Sequence, residues 1–319
     1  MTPSIGLSKW FGFIDEEYLR GFVREGGSAI KFAVPLDDAF RAEIFDGLSG
    51  LATQAGYTVV NISAAETKIH LMDEIFFRTA EQVPWQTLSR RFIAKLAADA
   101  GYVWAEDGDG PMYARLAAKN QVDPQMLLLD LKKAIGNNVL KEPALSRDFR
   151  VAMTQLCIAE LSGGQDGLTA VKALTDWFTG HNRAVSAVKP YHIYRKINRS
   201  TARFFFESMV RWTRLTAYPG IVVLLDAERV MLAHKPEDSG LFYSKAAVLD
   251  AYELLRQFID GMDNMEGFFM VVVPDFDFLE DHSRGIGAYE ALKFRVFDEI
   301  HDRNLVNPMA SLGRITAAS

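Results

Sequence analysis

Three short runs constrain this chain more than anything else in it: "SAIKFAV" (28–34), "GIVVLLD" (220–226) and "GFFMVVVPD" (267–275). Each is almost wholly apolar and rich in β-branched or aromatic residues. A strand with one wet face alternates polar and apolar residues. A strand without alternation is covered on both faces, as in a parallel sheet between two layers of helices. A fourth run, "YTVVNIS" (57–63), follows a helical pattern that ends near Gly56. Apolar residues recur at i, i+3 and i+4 over 74–83, 88–100, 123–135, 147–161 and 199–215, the last with Asn198 or Ser200 placed to cap it. Helices alternating with buried strands imply an α/β fold with a parallel sheet and helices on both faces. Residues 84–185 contain no strand of comparable quality and are expected to form a helical insert. The sheet domain is then expected in two parts, 1–83 and 186–319.

Composition narrows the class. The 319 residues, 49% hydrophobic, are enough for one large core or two small ones. A net charge of −6 argues against a general nucleic-acid coat, which is usually basic. One cysteine, Cys157, excludes an internal disulfide framework; its place in the apolar pattern "VAMTQLCIAEL" suggests a buried structural thiol. The opening residues lack an apolar core of signal-peptide length, and no run reaches the roughly 18–20 apolar residues of a membrane span. The expectation is a soluble, cytoplasmic, globular protein without a membrane partner.

At 26–48, "GGSAIKFAVPLDDAFRAEIFDGL", a strand passes through Pro35–Leu36–Asp37–Asp38 into a helix, the outline of a phosphate-binding junction. Downstream come a second strand, a helical stretch, an apolar strand ending in Asp226, a long helix, and another apolar strand with a charged turn. This order resembles the additional-strand P-loop ATPases, the division that includes AAA+ proteins. More narrowly, it is similar to the ATP-binding family of the BREX bacteriophage-exclusion systems. The segments that carry the resemblance are "REGGSAIKFAV", "NISAAETKIHLMDEIF", "KPYHIYRKINRSTARFFFESMVRWTRLTAYPGIVVLLDAE", "VVVPDFDFLEDHSRGIGAYEALKFRV" and "LVNPMASLGRI". The resemblance implies a P-loop NTPase-like fold and a role in anti-phage defence.

The departures are as informative. The phosphate-loop pattern G-x-x-x-x-G-K-[ST], set on 35–42, meets Pro35 and Phe40 at its glycines, Arg41 at its lysine and Ala42 at its magnesium-binding hydroxyl. Proline removes an amide donor and fixes φ, and phenylalanine stands where the backbone must approach phosphate. Arg41 offers a planar fork instead of a compact charge. Asp37 and Asp38 each oppose a phosphate at ~4 Å by roughly 1 kcal/mol even in water. "VVLLDAE" keeps Asp226, while Ala227 replaces the expected catalytic glutamate and Glu228 comes one step late. Val273–Pro274 stands where a polar sensor of the γ-phosphate is expected. The reading is a degenerate ATPase without a cofactor, structural or regulatory, working with other subunits of a defence complex. The alternative is an active ATP- and Mg-binding protein gripping phosphate through Arg41 and Asp226, or a DNA-binding component.

Other signals are weaker. Asp226 equally suits a cap for the following turn, and with Glu228, Asp275 and Asp277 it forms an acidic group lacking the lysine of a metal-dependent nuclease motif. His70, His181, His192, His234, His282 and His301 show no zinc-ligand spacing. "HSRG" (282–285) reads as a solvated turn, and Ser162–Gly163–Gly164 as a helix cap. Arg199, Arg203, Arg211 and Arg214 are candidate partner-binding residues, for a protein or for DNA phosphates, on a helix whose Phe204, Met209 and Trp212 are expected inward.

Overall fold

The computed structural model describes residues 4–105, 108–297 and 307–317; His301 and Glu106–Asp107 lie outside them. In chain order, β1 (Ile5–Gly6) and α1 (Leu7–Phe13), which runs on as a widened turn to Phe22, precede β2 (Ser28–Pro35), α2 (Arg41–Gln54), β3 (Thr58–Ser63) and α3 (Met72–Ala80). Seven helices follow: α4 (Trp85–Asp99), α5 (Met112–Asn120), α6 (Pro124–Val139), α7 (Arg147–Ser162), α8 (Gly164–Phe178), α9 (Val185–Val188) and α10 (Ala202–Leu215). The chain closes with β4 (Ile221–Asp226), α11 (Lys245–Asp260), β5 (Phe268–Val273), α12 (Asp277–Glu280), α13 (Glu290–Val296) and β6 (Leu312–Thr316). These elements fall into two compact units, Met1–Thr79 with Tyr218–Ser319, and Ala80–Ala217.

The first unit is α/β, as its strands predict. Six strands form one sheet in the order β1-β6-β2-β5-β4-β3, and every pairing is parallel. β5 lies between β2, which leads to the phosphate-loop position, and β4, which ends in Asp226. The all-parallel sheet is compatible with a P-loop NTPase-like fold. Register sorts the side chains by parity. Ala29, Ala33, Val222, Leu224, Phe269 and Val271 face a core built with Trp10, Ile14 and Leu19 and with Ile44 and Leu48 of α2. Phe32 and Phe268, of opposite parity, stack on Phe278 of α12 and Phe258 of α11. Helices thus cover both faces of β2, β4 and β5, which is why those strands carry no polar alternation, while β3 at the sheet edge keeps Asn61 exposed.

Lys31 breaks the apolar run of β2, yet it is only 3% exposed. Its ammonium lies over the Tyr18 ring and donates to the carbonyls of Pro308 (3.3 Å), Met309 (2.7 Å) and Ala310 (2.8 Å), tying down the approach to β6. Burial pushes its pKa down to about 8 from 10.5. Between those values the unfolded chain holds more protons than the folded one, so this group adds stability as pH rises from 8 to 10.5 and contributes no slope below 8. Burial of Cys157 raises its thiol to about 12 and acts in the opposite sense above pH 9. Comparison with Lys31→Met at each pH isolates the lysine, because the sites lie in different units. The stability difference, wild type minus variant, is expected to grow from pH 8 to 10 by at most about 3 kcal/mol in urea unfolding. A constant difference contradicts it.

The second unit is all-helical. Asp123 caps α6, its Oδ1 accepting from Met126 N at 2.8 Å, with Pro124 in the first turn. α7 ends at Gly163, whose φ of +58° reverses the chain into α8. The core is aromatic: Trp85 stacks on Phe178, and Phe149 meets both Phe178 and Phe205. Cys157 is buried in it, as its apolar setting predicts.

α10 differs from expectation in two ways. It clusters with the helical unit instead of the sheet, because Phe205 packs on Trp177, Trp212 on Phe92, and Ser208 Oγ accepts from Ser146 N at 2.8 Å. Also, Phe204 is not inward; it is 56% exposed, while Phe205 and Phe206 fill the core.

Candidate functional site

The carboxyl ends of β2, β4 and β5 meet at Arg41. β2 runs to Pro35, which pairs with Ile315 of β6, and Leu36 N bonds Ile315 O at 2.9 Å. The chain then makes a 3-10 turn, Asp38–Phe40, with Asp37 Oδ1 accepting from Ala39 N at 2.9 Å and Arg41 N–H bonding Asp38 O. Amides of this junction are therefore spent on the protein itself. None of residues 35–42 has a positive φ, so the left-handed backbone that a phosphate nest needs is missing. Phe40 is buried in the α2 core, where its ring anchors the turn from beneath, and Ala42 follows Arg41 in the first turn of α2.

Arg41 opens α2 with a side chain only 11% exposed. Its Nη1 donates to Asp226 Oδ1 (3.3 Å) and to the Val273 carbonyl (3.0 Å). Its Nη2 donates to Asp38 Oδ1 (3.1 Å) and to the Pro274 carbonyl (2.9 Å). Glu228 Oε2 lies 4.0 Å from Nε. One guanidinium thus bridges the ends of β4 and β5 to the start of α2. The fork shape matters: two nitrogens serve four acceptors on three elements, which an ammonium on a flexible stem does not reproduce.

Asp226 shares the parity of Val222 and Leu224, so it faces α2 and can meet Arg41. Its Oδ1 also accepts from Glu228 N at 3.1 Å, at the entry to the 3-10 turn Glu228–Met231. Because β4 stops at Asp226, that turn swings Glu228 back toward Arg41, where a continued strand aims it away. Burial above all raises Glu228 from the usual carboxylate range; Arg41 opposes the shift, while Asp226, Asp38 and Asp275 add to it. Ala227 is buried, its N–H bonded to Val273 O at 3.0 Å. It helps line a small, mainly apolar cavity with Phe32, Val272, Pro274 and Phe278, where the hydroxyl of Tyr252 already donates to the Arg284 carbonyl.

These residues do not fit a nucleotide with magnesium in the usual way. No hydroxyl follows Arg41, and the cation at the lysine position is already surrounded by protein acceptors. Asp275 Oδ1 accepts from Asp277 N at 2.8 Å in a turn of its own. Among the described residues, no group of three or more His, Cys, Asp and Glu is placed to hold a metal ion.

The family assignment rests on the C-terminal two-thirds of the chain. The sequence model of one protein family, described as BREX system ATP-binding protein BrxC/D, matches residues 118–318, more than half of the chain. The chain belongs to that family. The BREX match takes in Asp226, β4, β5 and β6 but leaves out the phosphate-loop position at 35–42. No curated protein and no solved structure matches the chain. BREX membership makes it a component of an anti-phage system, whose other subunits are its expected company. Among the described residues, no helix is long and apolar enough to cross a membrane.

The remaining candidates spread out. On α10, Arg203, Arg211 and Arg214 share a half-buried face with Glu207, which takes Arg203 Nε at 3.1 Å; Arg199 precedes the helix and is exposed. "HSRG" is not a solvated turn throughout: Arg284 is buried and donates to the Val230 carbonyl at 3.3 Å and to that of Tyr243, holding the segment after β4. Sequence reasoning found Arg41 and Asp226 through their motif positions. It set Glu228 aside, treated Asp38 only as a repelling charge, and had no means of seeing the carbonyls of Val273 and Pro274.

Proposed function

We propose that this chain is a non-hydrolysing P-loop-like subunit of a BREX defence assembly, giving structure or regulation alongside an active relative or other components in the cytoplasm. The observation that carries this reading is the Arg41 network: the side chain standing where a phosphate-gripping lysine belongs is bound by Asp226, Asp38 and two strand-end carbonyls. A sheet and a partner surface depend on residues other than the loop glycines, so they outlast the loss of nucleotide chemistry. On this reading the chain needs no cofactor.

A second reading has its own support in the family's description as ATP-binding and in the adjacency of Arg41 and Asp226: an ATP-binding protein in which Arg41 leaves its internal partners for phosphate. Calorimetric titration of the full chain with ATP and magnesium separates the two. The expected result is no saturable heat at tens of micromolar nucleotide, for wild type and for Arg41→Ala alike. Micromolar binding that disappears in Arg41→Ala overturns the non-catalytic reading.

A further inference from the structure

Between Asp176 and Glu207 the sequence holds six lysines and arginines and no acidic residue, in a chain whose net charge is −6. The structure shows how this basic stretch is displayed. Ile193 is fully buried and Ile197 only 7% exposed, so two apolar anchors hold the irregular segment that follows α9. Thr201 Oγ1 donates to the Lys196 carbonyl at 2.9 Å, and Asn198 Oδ1 accepts from Ser200 N at 3.0 Å, fixing the turn into α10. Between the anchors Tyr194, Arg195 and Lys196 are exposed, and so are Lys189 and His192 before them and Arg199 after them. Tyr194 is 64% and Phe204 56% exposed, large rings left in water on the same stretch of chain as the cations. Asp148 lies 3.5 Å from Arg195 and Glu207 accepts from Arg203, so part of the charge is met internally.

We infer that residues 189–204 form a binding surface for single-stranded nucleic acid, with Lys189, Arg195, Lys196 and Arg199 meeting phosphates and Tyr194 and Phe204 stacking on bases. Cations alone suit any polyanion. Exposed aromatic rings interleaved with them are the arrangement that engages unpaired bases, whose faces a duplex keeps stacked inside. An acidic protein surface has phosphate-like charge but no base faces, so it leaves the two rings without a role. This surface lies within the helical unit and does not depend on whether the sheet unit binds a nucleotide.

The test is fluorescence anisotropy of a labelled oligothymidylate with the full chain at two salt concentrations. Tyr194→Ala and Phe204→Ala are each expected to weaken binding about tenfold. Lys196→Glu with Arg199→Glu is expected to weaken it at least tenfold and to flatten the salt dependence by a slope of about 1.4, that of two phosphate contacts. All four positions are exposed, so unchanged thermal unfolding should accompany each loss. Absent binding by the wild type at low salt overturns the inference, as does binding that the charge reversals leave intact. Equal competition by duplex DNA, with the ring variants unaffected, assigns the surface to backbone contacts and overturns the single-strand reading. Competition by polyglutamate as strong as by oligothymidylate, with the ring variants unaffected, assigns it to an acidic protein instead.

Discussion

Gly220→Ala is expected to yield little or no soluble, cooperatively folded protein. Gly220 has a φ of +147°, and a methyl group there would sit 1.7 Å from the Gly267 carbonyl oxygen and 2.6 Å from its carbon. The obstruction is backbone, so no rotamer change relieves it. Movement is blocked on both sides, because Gly267 O accepts from Ile221 N at 3.0 Å and Gly220 O accepts from Thr58 N at 3.1 Å. Any shift that clears the methyl loosens the start of β3, β4 and β5 together, the three strands on which Asp226, Val273 and Pro274 depend for position. A cost above about 4 kcal/mol is expected, in the range reserved for backbone strain and broken ladders. Gly50→Ala is the control: it lies inside α2 with nothing within 4 Å of the added carbon. That change is expected to be neutral or to stabilise by up to about 1 kcal/mol, as alanine replaces glycine in a helix. Soluble yield and circular dichroism of the two variants decide the matter. A Gly220→Ala protein that unfolds at the wild-type midpoint contradicts it.

The strands around Gly220 were legible because burial on both faces leaves a mark in local sequence: no polar residue can be tolerated on either parity. Lys31 shows the limit of that rule, since three carbonyls and a ring make its burial possible. β1 and β6 left no such mark. One is two residues long, the other reads Leu-Gly-Arg-Ile-Thr, and they pair across some 300 residues of chain, a relation that no local pattern encodes. The helical unit was legible by periodicity, but α10 was not assigned to it, because an apolar helix face does not say which core it enters. Phe204 was misplaced for a related reason: three consecutive phenylalanines cannot all face one core, and the choice among them is made by Trp177 and Phe149. At the site, motif register located Arg41 and Asp226. The acceptors that complete the network depend on where β4 and β5 stop and turn, which only the fold determines.

That network makes Arg41 a consequential side chain of the sheet unit. Arg41→Met is expected to lower stability by about 2–4 kcal/mol, measured as the loss in urea midpoint multiplied by the slope. The contact with Asp38, whose side chain is 57% exposed, contributes little, since water screens it. The weight falls on Asp226 and the carbonyls of Val273 and Pro274, which lose a charged donor in a part-buried setting. Asp38, Asp226, Glu228 and Asp275 are then left near one another without the cation at their centre, and their mutual repulsion adds to the cost. Arg41→Lys is expected to recover less than half, because an ammonium cannot reach two strand ends and α2 at once. Asp226→Asn supplies the decisive comparison. In the wild type it weakens the network and is expected to destabilise by about 1 kcal/mol. In Arg41→Met it removes one of the repelling charges and is expected to be neutral or stabilising. The resulting coupling of at least about 1 kcal/mol marks a working pair; additive effects would mean that the guanidinium and Asp226 are neighbours without an interaction. The same arithmetic bears on function. A phosphate that captured Arg41 would have to offset what Asp226 and the strand-end carbonyls lose, with no glycine-loop amides to help it. On the proposed reading, the interaction that holds the strand ends together is also the one that would oppose nucleotide binding.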